Sequence, residues 1–476
     1  MRDLENNALY EDIKQIQQGD SPKVFFTYDV YFRVRKPNPV EIPESQKGQY
    51  GSHEEKDDIY RPLKLKSIDT IRDYVNTSAD DITLTTVFGL GLWAKVLQPY
   101  RDYLECVIRK IPLKDSTRQA DQNTESIATI YYAIPKSVDQ NATANQIGRY
   151  TRDELDTLGL IEVEWQLIDL SVEKLRAVNV GGIYRKVKNE EVLKALITKS
   201  VEEIKVDEEH KAIETLSVYK ADNQTQREHT LIADNTPLLT LPFYLQKKAG
   251  GVYSFGLSSY IQERNWYIFP TYNTQRFDQE DKTLTVIKVP NTHYDEIEKT
   301  YRKQGDKLYI LAASTSAFLD RGQEALKESG SGVRYSSASR YMNELVETKD
   351  NKAIAHRKKL NNEYLIQDLK VRDESRNKVA LSANPITDNT YHENSQLSMR
   401  VGSIYLFTWR RCDCRLLVPG MPVKVLYLKE GAIQELYGTL LKVHVSEALS
   451  GQGVTSQDYD AQAALAIFAN MKQEKK

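Results

Sequence analysis

The run RLLVPGMPVKVLYLKEGAIQELYGTLLKVHV, residues 415–445, restricts the fold more than any other part of the chain. Val423, Val425 and Tyr427 alternate with Lys424, Leu426 and Leu428, so both faces of this segment are largely apolar. A strand of that kind must be covered on both sides, as in a packed sheet or a barrel with an outer layer. Pro419 and Gly420 mark a bend into it, and KEGA, with Gly431, is expected to turn the chain into IQELYGTLLKVHV as the antiparallel partner.

Strand patterns recur upstream. KVFFTYDVYFRVR (23–35) is β-branched and aromatic and is stopped by Pro37 and Pro39. Ile82–Phe88, RDYLECVIRKIPL (101–113), ATIYYAI, LIEVEWQLIDL, TLTVIKVP, KLYILAA and SMRVGSIYLFTWRR read the same way. Helices are fewer. NEEVLKALITKSVEEI (189–204) is the clearest: Asn189 is placed to cap it, Glu190 and Glu191 suit its positive end, and Val192, Leu193, Leu196, Ile197 and Val201 form one stripe for packing on a sheet. SIDTIRDYVN has spacing compatible with a partial helix, TRDELDTLG with a short one, and QDYDAQAALAIFANMKQEKK has an alanine-rich helical centre.

These patterns give an α+β, β-rich chain. Its 476 residues exceed one small core. The expected organisation is an arm (1–20), a first β-rich region (21–125), a mixed α/β region (126–235), a Tyr-rich β region (236–320), a polar linker (321–379), a C-terminal β region (380–448) and a helical tail (449–476). The polar stretches 41–62 and 114–127 are expected as an exposed excursion and a long loop.

Composition excludes several roles. With 65 basic and 67 acidic residues, no basic excess argues for nucleic-acid binding. Three cysteines, at 106, 412 and 414, are too few for a secreted disulfide framework and fit a reducing compartment. The N-terminus lacks a signal-peptide core, and no apolar run approaches the ~18 residues of a membrane span. The 29 tyrosines against 11 phenylalanines suit half-buried sheet faces and wet interfaces.

The constellations that could carry chemistry are each incomplete. Gly89, Gly91 and Ala94 match the relaxed dinucleotide pattern, but that motif needs a helix opening at the glycines, and Pro99 interrupts one within two turns. A glycine-mediated bend between strands is preferred. In ESGSGVRYSSASR, Gly332 is followed by Val333 and Arg334 rather than the Lys-Ser/Thr of a phosphate loop. Cys106, among Leu104, Val107 and Ile108, reads as a core residue. Cys412 and Cys414 would share one face of a strand, without a second Cys pair or matched histidines to complete a zinc site. Reversible oxidation of that pair stays open. The histidines at 53, 210, 229, 293, 356, 392 and 444 are scattered singly, and Asp80-Asp81 reads as a turn before a strand. No catalytic, cofactor-binding or metal residue is assigned.

Several phrases together resemble a known family. NPITDNTYHENSQLSMRVGSIYLFTWRR through RLLVPGMPVKVLYLKEGAIQELYGTLLKVHV resembles the closing domain of tail hub proteins of tailed bacteriophages. GGVYSFGLSSYIQERNWYIFPTYNTQRF with LTVIKVPNTHYDEIEKTY, and VGGIYRKVKNEEVLKALI, are similar to the central part of the same group, so the resemblance spans roughly 180–300 and 380–445. It implies a baseplate hub of a contractile tail, generally a homotrimer, whose chains each carry two tail-tube-like β-barrel domains. Three chains then present six such domains, matching a six-fold tail tube above to a three-fold spike below. The implied partners are the tail tube protein, the spike protein and other baseplate proteins, with phage DNA only as passing cargo and no membrane insertion. The implied location is the virion, after assembly in host cytoplasm. No enzyme activity or cofactor is implied, since the family works through surfaces. Rival readings are another tail or baseplate component, the hub portion of a contractile secretion spike, and, from a different class, a cell-wall hydrolase with two close carboxylates.

Overall fold

The computed structural model describes residues 8–18, 25–35, 59–113, 128–137, 159–206, 210–319, 346–349, 352–355, 398–399, 402–429, 432–449 and 459–471. Helix α1 (Ala8–Gln18) precedes strands β1 (Phe25–Val34), β2 (Ile59–Tyr60), β3 (Lys64–Asp73), β4 (Asp81–Gly89), β5 (Leu104–Leu113), β6 (Ala128–Ser137) and β7 (Leu160–Asp169). An α/β unit follows, with α2 (Leu170–Arg176), β8 (Asn179–Tyr184), α3 (Asn189–Val201), β9 (Thr215–Val218), β10 (Thr230–Pro237), α4 (Leu241–Lys248), β11 (Ser258–Gln262) and β12 (Asn265–Phe269). The chain continues through β13 (Thr283–Val289), β14 (Tyr301–Gln304), β15 (Lys307–Leu319), β16 (Val346–Lys349), β17 (Lys352–Ala355), β18 (Ser403–Arg410), β19 (Pro422–Lys429), β20 (Ala432–Leu449) and β21 (Tyr459–Met471).

Two closed rings of strands emerge from the pairings. One runs β20-β3-β4-β7-β6-β5-β1-β21 and closes where β21 pairs with β20; its β1–β21 seam is the pair Phe26–Tyr459. The other runs β13-β19-β20-β21-β18-β15 and closes where β15 pairs with β13. Strands β20 and β21 belong to both. Along one edge of β20, residues Ala432–Thr439 take β19 and Lys442–Ala448 take β3, with a bulge between Leu440 and Lys442 at the changeover. The Leu441 carbonyl released by the bulge accepts the Tyr74 N–H at 3.0 Å. The molecule is thus two barrels built on one long ribbon. Two rings also limit the exposed strand edges that invite aggregation.

Period-two patterning fills each barrel. In the first, Val30, Phe32, Ile68, Leu84, Cys106, Val163 and Leu167 point inward around Trp165. Trp165 lies 4.6 Å from Phe32 and 5.7 Å from Trp93 between ring centroids, and its indole N–H donates to Thr86 at 2.8 Å. The second barrel packs Leu284, Val286, Ile310, Trp409, Val423, Val425, Leu465 and Ile467. The doubly apolar strand of the sequence is β19: Val425 faces this core, while Leu426 lies under α1 with Leu9, Ile16, Ile287 and Leu311. In the α/β unit, Val192, Leu193, Ile197 and Val201 of α3 pack with Leu241, Leu245, Trp266 and Ile268.

Several expectations need correction. The C-terminal segment is a strand, not a helix: Ala461, Ala463, Leu465, Ile467 and Ala469 are buried in alternation, and pairing with β18 and β20 overrides alanine's helix propensity. SIDTIRDYVN is mostly β3, because Ile68, Thr70 and Arg72 face one side at strand spacing. The glycines at 89 and 91 do not make a bend by their own freedom. Gly89 has φ −70°, and the chain enters a helical segment, Leu90–Leu92 then Trp93–Leu97, that inserts Trp93 and Leu97 into the first barrel. Lys188 rather than Asn189 precedes the first turn of α3, its N–H donating to the Glu191 carboxylate at 3.0 Å, while buried Asn189 donates to the Ala249 and Gly251 carbonyls, each at 2.8 Å. Strands β6 and β7, expected in a mixed region, complete the first barrel, and β13 and β15 join the C-terminal strands in the second. Much of 41–62, 114–127, TRDELDTLG, most of 321–379 with Gly332, and Gly431 lie outside the described residues.

Candidate functional site

Where the barrels meet, the first barrel's interior stops being apolar. On β3 the buried row Ile68, Thr70 leads to Arg72, and on β20 Val443 and Val445 of the second core lead to Glu447, with Leu449 beyond it packed against the first core, so a charged residue interrupts each buried row. Ile68, Thr70, Arg72, Val445 and Glu447, together with Tyr28, Lys110, Tyr131 and Asp169, surround a cavity of about 380 Å³. Its remaining wall comes from elsewhere in the chain: Cys414, Arg415 and Leu416, in the connection from β18 to β19, and Ile261 and Glu263 beside the β11–β12 turn.

The cations in this wall have partners. Arg72 donates from Nε to Asp80 at 3.1 Å and from Nη1 to the Cys414 carbonyl at 2.9 Å. Tyr260 donates to the other Asp80 oxygen at 2.7 Å. Lys110 and Tyr28 both donate to the Glu447 carboxylate. Arg415 grips Asp413 with two nitrogens, at 2.9 and 2.7 Å. Burial opposes charge on Arg72, but the Asp80 carboxylate, with smaller contributions from neighbours such as Tyr74 and Glu263, holds the guanidinium pKa well above its usual value. Burial and then Glu447 push the Tyr28 phenol well up. Burial also raises Asp169, partly offset by hydrogen bonds from Ser171, whose N–H donates at 2.7 Å.

Chemically, this arrangement is a polar clamp. Arg72 on the first barrel holds a carbonyl of the second, and Gln262 of β11 donates to the Leu417 carbonyl at 2.9 Å. Arg276 makes a parallel tie, its Nη2 donating to the Gly420 carbonyl at 2.6 Å and its Nη1 to Glu280 at 2.8 Å.

The cysteines are not strand neighbours as expected. Strand β18 ends at Arg410; Cys412 follows it, and Cys414 opens a 3₁₀ turn, Cys414–Leu416. Both are buried free thiols with sulfurs 3.4 Å apart. Cys106 is a buried free thiol within the first barrel, raised well up by burial. Among the described residues no group of three or more His, Cys, Asp or Glu is arranged to hold a metal. His53, His356, His392 and the side chain of His293 lie outside the described residues; His444 stands 4.0 Å from Asp69. Asp80, expected only in a turn, instead anchors Arg72 and Tyr260 of the clamp. The sequence signal for the clamp is the charged residue set into each buried row, I-x-T-x-R and V-x-V-x-E.

No protein-family model matches the chain, and no curated protein matches it. Solved structures that align with this chain include a 43 kDa tail protein of prophage MuSo2 from Shewanella oneidensis, at 12% identity over 86% of this chain and 93% of that one, with a TM-score of 0.37. A chain of the Francisella PdpA–VgrG complex matches at 9% identity over 99% of this chain and 63% of its own length, with a TM-score of 0.36. An E. coli protein, described as a component of the type VI secretion system with structural similarity to the T4 bacteriophage tail proteins gp27 and gp5, matches at 7% identity over 86% of this chain and 74% of its own, with a TM-score of 0.37. Among the described residues, no helix is long and apolar enough to cross a membrane.

Proposed function

We propose that this chain is a structural hub of a phage-type tail, acting as a trimeric ring between a six-fold tube and a three-fold spike. The observation that carries the reading is the pair of closed barrels fused through β20 and β21 in a single chain. Three such chains present six barrels in one ring, so three-fold and six-fold partners can meet without a separate adaptor. The resemblance of segments 180–300 and 380–445 to tail hub proteins supports the same reading. The tube subunits would meet one rim of the barrels and the spike the other, with DNA passing through the central channel.

Sedimentation velocity and light scattering on the purified full-length chain test this, together with imaging of the particle's tail end. A trimer seated between tube and spike is expected. A strictly monomeric chain absent from particles would sink the proposal, and a trimer found only in a secretion spike would reassign it to that machine.

A further inference from the structure

Cys412 and Cys414 are not used by the hub reading, yet their geometry is specific. The sulfurs lie 3.4 Å apart, and Cys414 lines the cavity between the barrels. Disulfide bonding requires ~2.05 Å, so the sulfurs need to close by roughly 1.4 Å. The backbone on either side is held, by Cys412 N–H donating to the Ala461 carbonyl at 3.1 Å and Leu417 N–H donating to the Cys414 carbonyl at 3.3 Å, so closing the pair needs side-chain rotation rather than backbone movement. Arg72 donates to the Cys414 carbonyl, and Arg72, Cys414 and Arg415 all line the cavity.

We propose that Cys412 and Cys414 form a dithiol that a small peroxide, entering through the cavity, converts to an intrachain disulfide, with Cys414 attacking and Cys412 resolving. Cys414 Sγ gives up its proton and attacks one peroxide oxygen; the O–O bond breaks, and the departing hydroxide takes that proton to become water. Cys412 Sγ then attacks the sulfenic sulfur, the S–O bond breaks, and the oxygen leaves as a second water with the Cys412 proton. The two thiols lose two electrons and two protons, which the peroxide gains. The roles follow from position: Cys414 is among the residues lining the cavity, whereas Cys412 is fully buried and is not. Cys106, also fully buried but single within the first barrel, is the internal reference.

The folded full-length protein is treated with hydrogen peroxide, unfolded under nonreducing conditions with an alkylating agent, and mapped by tryptic mass spectrometry. Trypsin releases Cys412 and Cys414 together in the fragment CDCR. The expected result is loss of two hydrogens from that fragment while Cys106 is alkylated in full. All three thiols surviving, or Cys106 being consumed in step with the pair, overturns the proposal. In Cys412→Ala, Cys414 is expected to stop at a sulfenic acid captured by dimedone. In Cys414→Ala, Cys412 is expected to stay reduced, and labelling of Cys412 there would reverse the assigned roles.

Discussion

Gly420 sits at φ +68°, and a Cβ there would fall 2.2 Å from the Phe269 ring. Two constraints act on one atom, a left-handed backbone and a filled neighbour, and they explain why VPGM bends here. Gly420→Ala is expected to cost about 2–4 kcal/mol in chemical denaturation. A change under about 0.5 kcal/mol would show that the neighbour yields freely. Asp413 gives a pH-dependent test. Burial works against its carboxylate, but the bound Arg415 guanidinium outweighs this and holds the pKa below the ordinary value. A group depressed on folding stabilises above its unfolded pKa of ~3.9 and loses that contribution as pH falls through its folded pKa. Asp413→Asn is therefore expected to lose about 1–3 kcal/mol at neutral pH. Variant and wild type should converge in strong acid, and a gap unchanged in acid would contradict this.

Among elements, α1 and β21 show what local patterning could and could not reveal. Ile16 of α1 is almost wholly buried against Ile287, Leu311 and Leu426, so the arm is the outer cover that a doubly apolar strand requires. Ile16→Ala is expected to destabilise by about 2–4 kcal/mol and to increase binding of an apolar dye, while far-ultraviolet circular dichroism stays unchanged. Most strands were legible, because Phe32, Val163 and Trp165 occupy period-two rows that nothing else explains. Strand β21 was not, since alanine composition outweighed the quieter alternation of Ala461, Ala463 and Leu465. Ala463→Leu, forcing a larger side chain into that packed row, should cost about 1–3 kcal/mol, whereas a helical, solvent-exposed segment would tolerate it. The clamp was hidden for a different reason: its walls come from strands and turns hundreds of residues apart, as with Arg72 and Cys414.

At the scale of the molecule, the shared ribbon couples the barrels thermodynamically. Strand β20 contributes Leu436, Leu440 and Val443 to the second core and Glu447 to the polar end of the first. Trp165→Ala in the first barrel is expected to cost about 3–5 kcal/mol. Hydrogen exchange should then show amide protection falling in β18 and β19 of the second barrel as well. Unfolding of the first barrel with the second fully protected would show that they are independent units. The same ribbon sets an order of events during synthesis. Lys442 pairs with Asp73, and Tyr459 with Phe26, so strands made first wait for strands made last. At ~5–20 residues per second the ribosome leaves the early strands unclosed for roughly 20–90 s. Neither ring can shut before β21 is made, and a nonsense codon just before Ala432 would yield a product with two open sheets and no finished barrel.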